Sequence, residues 1–224
     1  MTEPIAAVLF DLDGTLAATM EPWDRCWADY AAQHGHTWSD DDRARTHGHG
    51  DWAHHLARVC GIASPEQVVA ACVELMVAQV EAGAITMLPG VRTLLDTASG
   101  RVPTGVVSAS PRRFVHATLD HFGLRDSLRI VVTREDQART KPHPAPWLHA
   151  AALLGVGPGS CVAVEDSAAG IRSAHAAGMR VLAIPSWPPS RHPAEAGLAA
   201  HIATDAILAE QWLRDTLTEL APAH

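Results

Sequence analysis

Two carboxylates, Asp11 and Asp13, flank Leu12 in the run FDLDGT, directly after the apolar stretch IAAVLF. In extended backbone, residues two apart face the same side. Both side chains can therefore address one point beyond a strand's carboxyl end, where open α/β sheets bind their ligands. Gly14 lets the chain turn away there, and a strand end capped by turn-forming aspartates would use the same residues. A second apolar run ends in VVSAS, placing Ser108 and Ser110 before Pro111. Hydroxyls and free N–H groups at a helix start suit an oxyanion such as phosphate, and serine there equally suits an ordinary N-cap. A third run, SCVAVEDSAAG, ends in the adjacent acids Glu165 and Asp166. Two acids leaving a buried strand are costly unless paired or bound to a cation. A hard, oxygen-liganded ion such as Mg²⁺ fits; a helix capped by Asp166 or Ser167 is the alternative.

Lys141, in ARTKPHPAPW, is the only lysine in a chain whose Lys and Arg together number 17. A guanidinium is a broad planar fork, whereas an ammonium is a compact charge on a slim stem. A crowded pocket that needs one positive charge would keep a lysine where the rest of the chain uses arginine. Chance retention is the other explanation.

These residues must be positioned by the elements they follow. Short apolar runs recur (IAAVLF, PTGVVSAS, LRIVVT, SCVAVEDS, MRVLAIPS), and helical patterns separate them. Continuous apolar runs of this length read as parallel strands covered on both faces, hence an α/β doubly wound sheet. The alternation fails between residues 16 and 87. There, helical patterns at 21–33, 51–59 and 65–81 follow one another with no strand between, so the segment reads as an all-helical insert. Pro89 and Gly90 can open the next core helix. The expected organisation is a core of residues 1–17 and 84–224 with a helical cap at 18–83.

Composition limits the partners. With 224 residues, 47% hydrophobic and 19% charged, the chain can bury a large core. The net charge of −8 and the absence of a basic run beyond Arg112–Arg113 exclude an extended nucleic-acid or anionic-membrane surface. No apolar stretch near the N-terminus is long enough for a signal peptide or membrane span. Cys26, Cys60, Cys72 and Cys161 lack CxxC spacing and read as reduced, mostly buried thiols. A cytoplasmic monomer or weak dimer is expected.

Taken in order, DLDGT, a serine after the second strand, the lysine of TKPHP and the acids of EDSAAG resemble the four motifs of the haloacid dehalogenase-like hydrolase superfamily. The helical insert resembles the small cap of its phosphoglycolate phosphatase and β-phosphoglucomutase branch, and AITMLPGVRTLL resembles the sugar- and polyol-phosphate phosphatases. The resemblance implies a Mg²⁺-dependent phosphatase acting on a small phosphate ester. Asp11 would be the nucleophile and Asp13 the acid/base, while Ser108 would bind the phosphoryl group. Lys141 would lie between Asp11 and that group. The ion would be held by Asp11, the Asp13 backbone carbonyl and Asp166, with Glu165 in support.

Rival activities diverge from this chain at identifiable places. A displaced halide needs no proton donor, so Asp13 favours phosphoryl transfer over dehalogenation. Phosphonate hydrolases of the superfamily need a cap lysine, and 18–83 holds none. The mutases carry a cap histidine where MEPWDRCW places Trp23. Ala18 stands where many relatives have a hinge aspartate. A non-catalytic module on the same scaffold would be expected to have lost Asp11, Asp13 or Lys141. In the cap, Trp23, Trp27, Trp38 and Trp52 read mainly as core. The cluster THGHGDWAHH, with His47, His49, His54 and His55, lacks a second motif that would make it a metal site. Substrate contacts are expected from Ser108, Ala109 and Lys141 in the core and from Glu21, His49 and Asp51 in the cap.

Overall fold

The structure is a computed structural model that describes residues 3–46, 51–186 and 193–219. Six strands, β1 (Ala7–Phe10), β2 (Thr104–Val107), β3 (Ile130–Val132), β4 (Cys161–Glu165), β5 (Arg180–Ala183) and β6 (His201–Ile202), form one parallel sheet in the order β3-β2-β1-β4-β5-β6. The chain runs outward from β1 to one edge and then returns to build the other. The polarity switch falls between β1 and β4, where open sheets of this kind bind ligands. Every apolar run of the sequence supplies a strand. β6 escapes the periodicity reading because two residues carry no period.

Alternation along β1 divides the core. Val8 and Phe10 pack into one cluster with Leu94, Phe114 and Leu213, from helices α5 (Val91–Ser99), α6 (Arg112–His121) and α9 (Ala206–Glu219). Ala7 and Leu9 point the other way, onto Trp147 of α7 (Ala145–Leu154) and Ile171 of α8 (Ala168–Ala176). With both faces covered, no strand position needs a polar residue, which is why the runs are continuous.

Between β1 and α5 the described residues hold only helices: α1 (Met20–Gln33), α2 (Asp40–Thr46), α3 (Trp52–Cys60) and α4 (Pro65–Glu81). The first cluster continues into them through Trp23, Leu56 and Met76. Helix α2 was not expected, because DDDRART has no apolar stripe. Arg43–Asp40 and Arg45–Asp41 ion pairs brace its surface, and the buried Asp42 anchors it inward, accepting hydrogen bonds from His36 Nε2 (3.0 Å) and His55 Nε2 (2.7 Å). The two linkers to this helical segment pair with each other: Ala18 N–H donates to Thr86 O (2.9 Å) and Leu88 N–H to Leu16 O (3.1 Å). These two bonds of the tether are made by backbone, so neither depends on the side chain at position 18. No single helix among the described residues is long and apolar enough to cross a membrane.

Candidate active site

The carboxyl ends of β2, β1 and β4 lie side by side, and Lys141 joins them. Its loop, between β3 and α7, carries the ammonium to three acceptors: Glu165 Oε1 (2.5 Å), Asp11 Oδ1 (2.6 Å) and the Val107 carbonyl (2.9 Å). Nζ also lies over the Trp147 ring, 4.7 Å from its centroid. Three converging acceptors match the three donors of an ammonium and not a planar fork. The sequence expectation placed this charge between Asp11 and a phosphoryl group. The structure sets it beside Asp11, with all its protons given to the protein. Burial opposes the charged form of Lys141, but Asp11 and Glu165 overcome it and hold the ammonium's pKa above its ordinary value.

Glu165 is fully buried, and its second oxygen accepts from Asp166 N (3.1 Å), Ser167 N (3.3 Å) and Ser167 Oγ (3.1 Å). Its carboxylate occupies the space that a Cβ at Gly170 would need; the glycine of EDSAAG is there for close approach. Ser167, not Asp166, caps α8, accepting from Gly170 N at 3.1 Å. Asp166 is thereby released from capping. Its Oδ2 is buried without a hydrogen-bond partner among the described residues and presses on Gly14, whose φ of +82° and missing Cβ both make room for it.

Oxygens of Asp11, Glu165 and Asp166 lie within 4.8 Å of one another. Three buried carboxylates share one ammonium. Burial pushes the Asp11 carboxyl up to about 8, Lys141 pulling against that shift and Glu165 and Asp13 adding to it. Burial, with Glu165 and Asp11 beside it, also raises Asp166 well above the carboxylate range. An orphaned buried oxygen in an all-oxygen donor set with surplus negative charge fits a hard divalent cation.

Asp13 stands outside that trio. Its Oδ1 accepts from Thr19 Oγ1 (2.7 Å) and Trp23 Nε1 (3.1 Å), and its Oδ2 from Ser110 Oγ (2.7 Å) and, at 3.3 Å, Ser108 Oγ. Ser108 is wholly buried, and its hydroxyl also accepts from Ser110 N at 3.0 Å. Ala109 and Ser110 reach the cavity wall directly. Ser110, read with Ser108 as a hydroxyl suited to an oxyanion but not among the roles implied by the resemblance, lines the cavity, whereas Ser108 lies behind its wall.

A cavity of about 70 Å³ separates the strand ends from the cap helices. Asp11, Asp13, Lys141 and Asp166 line its core side; Met20, Trp23, Trp27, Thr46 and Trp52 line the other. Three of the tryptophans read as core are both core and wall. Trp38 stands away from the cavity, donating to Asp24 Oδ1 at 3.1 Å.

Two expected cap contacts do not reach this cavity. Glu21 is exposed, pairs with Arg25 at 2.5 Å and faces a separate groove that also holds Thr86 and Asp205. Helical rotation explains this placement: Met20 and Trp23 take the inward side of α1, and Glu21 turns away. Asp51 is exposed on a groove beside Asp42 and His55, because Trp52 takes the cavity side at the start of α3. His47 and His49 lie outside the described residues. His55 is engaged by Asp42, and the only metal-competent acidic or histidine cluster among the described residues is the strand-end trio.

The family model described as haloacid dehalogenase-like hydrolase matches residues 5–178. Hexitol phosphatase B of Escherichia coli K12 is 32% identical over 192 residues, covering 81% of this chain and 84% of that protein. Fructose-1-phosphate phosphatase YqaB of the same organism is 28% identical, covering 80% and 96%. Among solved structures, CbbY from Rhodobacter sphaeroides in complex with phosphate superposes with a TM-score of 0.77 at 28% identity, covering 90% of this chain and 95% of that one.

Proposed function

The chain belongs to the haloacid dehalogenase-like hydrolase family, and from that premise we propose that it is a Mg²⁺-dependent phosphomonoesterase acting on a small phosphorylated metabolite of the sugar or polyol phosphate kind. The observation that carries the reading is the placement of Asp11 and Asp13 on one cavity, with the unpartnered Asp166 Oδ2 beside them. The curated relatives named for sugar and hexitol phosphates support the substrate class.

In this reading an Asp11 oxygen attacks phosphorus in line, forming a P–O bond to the carboxylate as the ester P–O bond breaks. Asp13 gives its proton to the departing alkoxide, then takes one from the water that hydrolyses the aspartyl phosphate. Its four hydrogen-bond partners hold the carboxyl in place for both transfers. Ser108 and Ala109 belong to the phosphoryl-binding turn, with Ser110 presenting its hydroxyl to the same space. Lys141 pulls Asp11 toward its ionised form and aims it, and Glu165 orients Lys141. Asp11, Asp166 and the Asp13 carbonyl would hold Mg²⁺, with Glu165 in support. The ion would supply positive charge to the phosphoryl oxygens and to the crowded carboxylates.

Trp23 replaces the mutases' cap histidine and donates its N–H without being able to accept a proton, so hydrolysis is favoured over phosphoryl relay. Four free cysteines, none in a disulfide, suit the cytoplasm. Release of inorganic phosphate by purified protein with Mg²⁺, screened over phosphorylated sugars, polyols, glycolate and nucleotides, tests the proposal. Accumulation of a bisphosphorylated sugar would indicate the mutase instead, and inactivity on every ester would leave a binding module.

A further inference from the structure

Among the described residues, the cap side of the cavity is built largely of carbon. Trp23 and Trp27 come from α1 and Trp52 from α3, yet their rings gather into one cluster. Centroids are 5.5 Å apart for Trp23–Trp27, 5.4 Å for Trp23–Trp52 and 5.5 Å for Trp27–Trp52. Phe114 of the core meets Trp23 edge-on at 5.0 Å, which fixes the cluster against the catalytic side. Two polar groups of the described wall are engaged within the protein. Trp23 Nε1 donates to Asp13. Thr46 Oγ1, the cap's polar side chain in the described wall, donates within its own helix to the Asp42 carbonyl at 2.9 Å. Asp11, Lys141 and Asp166 lie on the opposite side, where the phosphoryl group must sit.

The leaving group therefore projects from the phosphoryl position toward indole rings. A hydroxyl pressed against the carbon face of an indole loses its water and gains no partner from that face. A ring that lays a flat carbon face on the indoles loses no hydrogen bonds and gains stacking or C–H contact. Resting on the phosphatase reading above, we propose that the substrate is the phosphate ester of a ring, aromatic or pyranose, whose face packs on the Trp23–Trp27–Trp52 cluster, and that open-chain polyol phosphates are poor substrates. This chain thereby departs from its hexitol-phosphatase relatives in leaving-group shape while keeping the same reacting groups.

The test uses the Mg²⁺-loaded full chain and compares kcat/KM for benzyl phosphate, a pyranose 6-phosphate and a hexitol 6-phosphate, with acetyl phosphate as the common reference. All three esters release alkoxides, so shape and not leaving-group reactivity dominates the comparison. At least one ring ester should exceed the hexitol ester by about tenfold or more, and which ring is preferred identifies the source. A second arm, Trp52→Leu, should pull the ring-to-hexitol ratio toward one. The ratio is internal to each preparation and so is insensitive to the fraction folded. A wild type that prefers the hexitol ester, or treats all three alike, overturns the inference while acetyl phosphate turnover leaves the phosphatase reading intact. Failure with acetyl phosphate as well would instead remove the reading on which the inference rests.

Discussion

Lys141 Nζ lies 2.5 Å from Glu165 Oε1 and 2.6 Å from Asp11 Oδ1, so one ammonium ties the candidate nucleophile at the end of β1 to a buried carboxylate at the end of β4. Lys141→Arg keeps the charge but cannot fit its fork to these two oxygens and the Val107 carbonyl together. Turnover should drop on the order of 10²–10³, the scale of losing one oriented donor in other enzymes, and Lys141→Met should be at least as impaired. The check is kcat at saturating Mg²⁺ with melting curves for folding. An arginine variant within about threefold of wild type, ~0.7 kcal/mol on the barrier, would mean that shape is not what retains the lysine.

The crowded carboxylates should make the metal-free protein sensitive to rising pH. The Asp11 pKa is raised in the fold from 3.8 to about 8, so the folded state holds a proton that the unfolded state has released. Stability linked to this group is complete below about pH 4 and is lost as pH climbs toward 8. Asp11→Asn should flatten that loss and abolish hydrolysis. Mg²⁺ should raise the wild-type melting temperature most at the upper end of the window, and Asp166→Asn should weaken that response. Thermal melts at several pH values, with chelator and with Mg²⁺, decide it.

Trp23→Phe keeps an aromatic ring in the cluster but trims it and removes the N–H that reaches Asp13 Oδ1 at 3.1 Å. If that bond positions the acid/base, esters with poor leaving groups should lose about tenfold in kcat/KM, the size of one hydrogen bond to a charged group. Aryl phosphates, whose leaving groups need little protonation, should lose much less. Equal losses for both kinds of ester would assign Trp23 to packing alone.

Asp42 concerns the cap's stability. Burial opposes its ionisation, but Ser39, His36 and His55 outweigh it and hold the carboxyl well below its ordinary range. A depressed acid contributes stability that is present above its unfolded pKa, near 4, and fades as pH falls below that. Asp42→Asn should therefore lower stability by ~1–3 kcal/mol at neutral pH. The gap from wild type should narrow in urea melts below about pH 4, and a gap independent of pH would count against ionic anchoring.

Much of this molecule could be read from the chain. Continuous apolar runs marked β1 to β5 because strands buried on both faces need no polar position, and DLDGT, VVSAS and EDSAAG marked the strand ends because turns and charges must lie just beyond them. The failure of that rhythm between residues 16 and 87 located the helical segment. Periodicity missed α2, whose stability comes from Asp42 meeting His36 and His55, and β6, which is too short to have a period. The substrate contacts expected of Glu21 and Asp51 rest on the family resemblance and not on periodicity. Helix rotation turned them out and brought Trp23, Trp27 and Trp52 in. Residue types and spacing specify which groups leave each strand, since that depends on covalent neighbours two or four positions away. Which groups touch depends on pairs more than a hundred residues apart, as with Lys141 and Asp11, and on how one helix face meets another. Those distances are decided only when the sheet order and the cap's packing close the chain on itself.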